Sequence, residues 1–135
     1  MKSMFVVTVA AILAGSVLKA ESKSCSASTL KGSYAYTVTG MRPGNVPFAA
    51  VGRISFDGTG AVTTTRTLSD GGIIFRHDSG SGTYSLAADC TGSFGISNSD
   101  LGILQLDFAV ANGGEEIRGI VTNPGFVLTL VGTKQ

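Results

Sequence analysis

The sequence predicts an all-β domain, an up-and-down antiparallel barrel of eight or nine strands held by one disulfide. Three observations predict it. From Leu30 onward apolar and polar residues alternate with period two, which places successive side chains on opposite faces of a strand. The runs are separated by hairpin material: Asp57-Gly58-Thr59-Gly60, Asp70-Gly71-Gly72, Ser79-Gly80-Ser81-Gly82, Asn112-Gly113-Gly114 and Asn123-Pro124-Gly125. No stretch carries helical periodicity over three turns. The 19 glycines in 135 residues are about twice the usual frequency of roughly 7%. Turns and the bends of a small barrel account for the excess.

Taken in order, the chain opens with an export signal. Lys2 supplies a positive start, residues 4–13 (MFVVTVAAIL) form an apolar stretch of signal-peptide length, and Ala14, Gly15 and Ser16 follow, so residues 1–20 are expected to be removed after Ala20. The apolar stretch is too short and too interrupted for a membrane span, which takes roughly 17 to 25 residues. Residues 21–29 are a polar leader. Residues 30–135 are the barrel domain, with strands expected at 31–39, 48–56, 61–69, 73–78, 83–88, 90–97, 101–110, 115–122 and 126–132.

Removing Lys2 and Lys19 leaves eight Lys and Arg against nine Asp and Glu, so no basic surface points to nucleic acid or an anionic membrane. A mature chain of this length buries about 60 to 70% of its unfolded surface, a modest core. Cys25 and Cys90 are the two cysteines, 65 positions apart in a chain bound for an oxidising compartment. Their bridge is worth roughly 3 to 5 kcal/mol. With no Cys-x-x-Cys and a single histidine, neither a metal nor a cofactor is expected.

Strand parity sorts the side chains. The inward set is Tyr34, Tyr36 and Val38; Phe48, Ile54 and Phe56; Val62 and Leu68; Ile73 and Phe75; Tyr84 and Leu86; Phe94 and Ile96; Leu104, Leu106, Phe108 and Val110; Phe126, Leu128 and Leu130. The opposite set is rich in Ser, Thr, Arg and Gln. Closing into a barrel removes the open edges of such a sheet, and a two-sheet sandwich is the alternative. An outer-membrane barrel would turn the apolar face to lipid, but the strands are short and the turns tight at both ends.

Three positions break the inward pattern: Arg66, His77 and Glu115. Arg66 and His77 face each other across a hairpin and are expected to be neighbours. A charge inside a small barrel must be paired or wet. The expectation is a pocket walled by Tyr34, Tyr36, Phe56, Phe75 and Phe108, with Arg66, His77 and Glu115 as polar groups. The competing expectation places the charged residues at the rim and the tyrosines in the core. Nucleophilic chemistry has no support: there is no Gly-x-Ser-x-Gly, and His77 and Asp78 should point to opposite faces. Gly58-x-Gly60 lacks the third glycine and helix of a phosphate loop, and Asp57, Asp70 and Asp100 are single turn formers rather than a calcium loop.

Cys25, Leu30-Lys31-Gly32-Ser33-Tyr34-Ala35-Tyr36, Phe56-Asp57-Gly58-Thr59-Gly60-Ala61-Val62, Gly82-Thr83-Tyr84 and Asp89-Cys90-Thr91-Gly92-Ser93, in this order, resemble a group of small secreted bacterial proteins without an assigned activity. That group is in turn similar at fold level to calycin-type barrels, including those of allene oxide cyclases and bacterial spirotetronate cyclases. The resemblance implies a secreted or periplasmic barrel but carries no catalytic residue across. The functional expectation is a secreted module that binds a small, mainly apolar ligand. The alternatives are a cofactor-free cyclase or isomerase using Arg66, His77 or Tyr36, and a structural protein with a filled core. The openness of the barrel interior discriminates among them.

Overall fold

A computed structural model describes residues 24–98 and 102–135; the expected signal peptide at residues 1–20 lies outside them. Eight antiparallel strands close a barrel in sequence order. They are β1 (Lys31–Arg42), β2 (Val46–Asp57), β3 (Ala61–Asp70), β4 (Ile73–Leu86), β5 (Thr91–Asn98), β6 (Gly102–Ala111), β7 (Glu116–Val121) and β8 (Val127–Lys134). Closure comes from β1 against β8, in register from Tyr34 opposite Lys134 to Met41 opposite Val127. Among the described residues no helix is long and apolar enough to cross a membrane.

The count resolves at eight because β4 is one strand, not two. Ser79-Gly80-Ser81-Gly82, expected as a turn, is the middle of β4. Its glycines answer crowding rather than chain reversal. A Cβ at Gly82 would stand 1.7 Å from the Gly95 carbonyl oxygen, and one at Gly80 would stand 2.7 Å from the Ile96 side chain. Only glycine lets β5 approach so closely.

The apolar parity faces inward, the reverse of a lipid-facing barrel. Sixteen of the expected inward residues are buried, and Leu86, Val110 and Phe126 pack half-buried against them. Ile73 and Phe75 are the exceptions, 64% and 36% exposed. The reason lies in two local features. β4 pairs with β5 only from Gly80 to Leu86, so residues 73–79 overhang the barrel wall, joined to β3 alone. Within the overhang the register slips: Arg66 stands opposite Asp78, but Leu68 stands opposite Phe75, so two residues on β4, Arg76 and His77, stand against one on β3, Thr67. This β-bulge holds His77 at a left-handed φ of 61°.

The two ends of the barrel differ. At one end lie the β2–β3, β4–β5 and β6–β7 turns and the leader, where a 3-10 turn at Ala27–Thr29 enters the barrel. Leu30 is fully buried there, and the Tyr84 hydroxyl shares its proton between the carbonyls of Ala27 at 2.7 Å and Leu30 at 3.0 Å. Tyr34 donates to the Gly114 carbonyl. The Cys25–Cys90 disulfide, with Cα atoms 5.1 Å apart, pins this plug to the β4–β5 turn. Immediately inside, Phe56 makes edge contacts with Tyr34, Tyr84 and Phe94 at centroid distances of 5.6, 5.1 and 5.9 Å. That half of the barrel is solid. The overhang marks the opposite end.

Candidate functional site

The polar residues of the barrel interior gather in the half away from the plug. Parity and the bulge together explain why. Thr64 and Arg66 follow Val62 on the inward face of β3, and Asp78, two residues before Gly80, faces inward on β4 because the bulge flips the alternation just beyond it. Asn98 ends β5 opposite Gly80, and Tyr36 comes from β1. Thr64, Arg66, Asp78 and Asn98 are all buried, at 5, 6, 4 and 7% exposure.

Arg66 Nε donates to Asp78 Oδ2 at 2.9 Å, with the two side chains 4% and 1% exposed. The guanidinium also lies 5.8 Å above the Phe48 ring centroid, a distance at which the ring face attracts a cation. Removing both charges from water costs several kcal/mol per ion, so neither would be tolerated without the other. Thr64 donates to the Arg53 carbonyl at 3.0 Å, so the 2.7 Å bond between Thr64 and Tyr36 takes its proton from Tyr36. Burial pushes the Tyr36 phenol up, while the Thr64 bond and the Arg66 charge pull the other way.

Three buried polar atoms of this cluster have no hydrogen-bond partner among the described residues: Arg66 Nη2, Asn98 Nδ2 and Asn98 Oδ1. All belong to residues lining a cavity of about 30 Å³, whose other walls include Tyr36, Thr64, Ile96 and Leu104. By volume it holds about two waters. Its size is roughly a tenth of the smallest usual ligand pockets. Wider clefts lie elsewhere: a groove of about 390 Å³ on the outer face of β4, β5 and β6, lined by Ser81, Thr83, Ser97 and Gln105, and a cleft of about 460 Å³ at the plug, lined by Cys25, Thr29, Cys90 and Gly114.

The expected site residues therefore separate. Arg66 and Tyr36 line the cavity. His77 is exposed on the bulge, and its expected place beside Arg66 is taken by Asp78. Glu115 is exposed at the plug end, where its charge adds to burial in raising the Tyr34 phenol. Tyr34, Phe56 and Phe108 are packed on one another instead of walling a cavity, with Phe56 and Phe108 stacked at 6.4 Å. Phe75 is on the overhang.

Sequence reasoning missed Asp78, Thr64 and Asn98. For Asp78 the missing signal was the bulge; a histidine followed by aspartate after an Ile-Ile-Phe run shows no glycine to announce it. Asn98 was read with the turn that follows. Asp89, beside the disulfide, accepts from Thr91 N at 3.1 Å and Thr91 Oγ1 at 2.6 Å. Comparison of the chain with protein-family models, with curated proteins and with solved structures finds no match.

Proposed function

We propose that this chain is an exported binding barrel that holds a small, mainly apolar ligand by its head group, at the end of the barrel opposite the plug. The observation that carries this reading is the cluster of Arg66 and Asn98, buried and incompletely partnered, around a cavity in an otherwise apolar interior. Buried polar groups are nearly always bonded, and each exception calls for an explanation. A head group that completes their bonds is one. The apolar remainder of the ligand would lie outward, toward the exposed Phe75 and Ile73 of the overhang.

Native mass spectrometry of the protein purified from its own host, followed by uptake from a lipophile library, tests the proposal. A bound mass, or uptake lost in Asn98→Leu, supports it. The bare mass of the mature chain together with no uptake overturns it.

A second reading, a structural protein with a filled core, is favoured by the solid aromatic half of the barrel and by the 30 Å³ that remains elsewhere. The cyclase or isomerase reading draws less support. Arg66 and Tyr36 share the cavity, but His77 stands outside the barrel.

A further inference from the structure

We infer that the head group taken at this site is uncharged and presents a carbonyl beside an N–H, as a primary carboxamide does; the inference rests on the binding reading above. Charge decides the first half. Arg66 is already neutralised by Asp78 at 2.9 Å, and both side chains are buried. An anion entering beside them would be a second negative charge against one guanidinium, and a cation would be a second positive charge. Either would be desolvated without a partner of its own, which in a protein interior costs several kcal/mol. A neutral group meets no such cost.

The unpartnered atoms decide the second half. Arg66 Nη2 and Asn98 Nδ2 are donors; Asn98 Oδ1 is an acceptor. The Tyr36 proton is committed to Thr64. What is missing is one acceptor that can take bonds from two donors, next to one donor. A carboxamide supplies both: its oxygen accepts from Arg66 Nη2 and Asn98 Nδ2, and its nitrogen donates to Asn98 Oδ1. The amide-to-amide pair with Asn98 is reciprocal and survives an exchange of the Asn98 oxygen and nitrogen, whereas the bond from Arg66 Nη2 needs the ligand oxygen on its side and so selects the orientation with Asn98 Nδ2 beside it. Size agrees, since a cavity of about 30 Å³ admits a head group of two or three heavy atoms and not a phosphate or a sugar.

The test is a calorimetric titration at neutral pH of the oxidised mature protein with four probes of one chain length: octanamide, octanoate, octylammonium and octanol. Octanamide should bind at least about tenfold more tightly than either ion, the factor that 1.4 kcal/mol represents. In Asn98→Leu the preference of octanamide over octanol should fall to within about twofold. Asn98→Ser serves the same comparison if the leucine variant does not fold. Octanoate binding as well as octanamide overturns the charge argument, and four equal affinities overturn the head-group inference while leaving the binding barrel standing. No binding of any probe overturns both.

Discussion

His77 is one of four described non-glycine residues at positive φ, with Asn45, Cys90 and Asn112, and its conformation decides which side chains of β4 face the barrel interior. At φ 61° it lies in the left-handed region, which costs a non-glycine residue roughly 1 to 2 kcal/mol. His77→Gly should therefore raise the urea midpoint by an amount worth up to about 1 kcal/mol. His77→Val, β-branched and ill suited to positive φ, should lower it by more than about 1 kcal/mol. If both variants match the parent, the bulge is not where the register slips. Asp78, which the bulge turns inward, is the counter-charge of Arg66 at 2.9 Å. Asp78→Ala leaves a buried guanidinium unneutralised and should cost about 3 to 5 kcal/mol, whereas Arg66→Met combined with Asp78→Leu should recover most of that loss. Asp57 at the β2–β3 turn acts differently, from full exposure. Its carboxylate accepts from the backbone N–H groups of Ala61, Thr59 and Gly60 and from the Thr59 hydroxyl, which together hold its pKa at about 2. Because the folded value lies below the unfolded one of about 3.9, its contribution is present above that value and disappears as pH falls toward 2. An NMR titration of the Asp57 carboxyl should show the low midpoint, and Asp57→Asn should flatten the acid dependence of stability across that window.

At the scale of elements, the plug and β1 are held by different forces, although they adjoin in sequence. β1 is paired on both sides, with β2 over its whole length and with β8 from Tyr34 to Met41. The plug is held by the disulfide, the Cys25 N–H to Ala88 bond at 3.1 Å, the Tyr84 hydroxyl, the burial of Leu30 and the packing of Ala27 against the core. Reduction of Cys25–Cys90 should therefore raise hydrogen exchange at Cys25, Thr29 and Leu30 while β1 amides from Tyr36 to Val38 keep their protection. Equal loss along β1 would mean that the bridge secures the barrel itself and not merely its plug. The loss of the bridge should cost about 2 to 5 kcal/mol overall. β4 illustrates the opposite relation between sequence and element. Its glycines read as a turn in the sequence, yet Gly80 and Gly82 sit in mid-strand because β5 passes within contact of their α-carbons. A glycine needed for close approach is indistinguishable in sequence from one needed for a turn, until the neighbouring strand is known.

For the whole molecule, alternation was sufficient to read the fold class and the inward face, because a period of two states directly which side chains share a face; the disulfide was legible from the cysteine count instead. The site was less legible: Arg66 and Tyr36 stood out by type and parity, but Asp78 depended on a one-residue slip that reverses alternation, and Asn98 on knowing which strand lies beside Gly80. The same inward face governs how the barrel responds to alkali. Tyr34, Tyr36 and Tyr84 are the three tyrosines of the chain; all are buried, and burial is the main cause raising each phenol above its ordinary value. A group whose folded pKa exceeds its unfolded one of about 10 contributes stability that is complete below that pH and is lost as pH rises through the folded value. The barrel should thus hold a constant urea midpoint from neutrality to about pH 10 and lose stability above it. The phenolate absorbance should appear in step with unfolding rather than ahead of it, since burial raises each phenol above its ordinary value. Tyr34→Phe removes one of the three groups together with its bond to Gly114, so it should lower stability at neutral pH and weaken the alkaline dependence. Phenolate absorbance rising freely below pH 10, with the urea midpoint unchanged, would show that the tyrosines face solvent and that the packed interior described for this barrel is wrong.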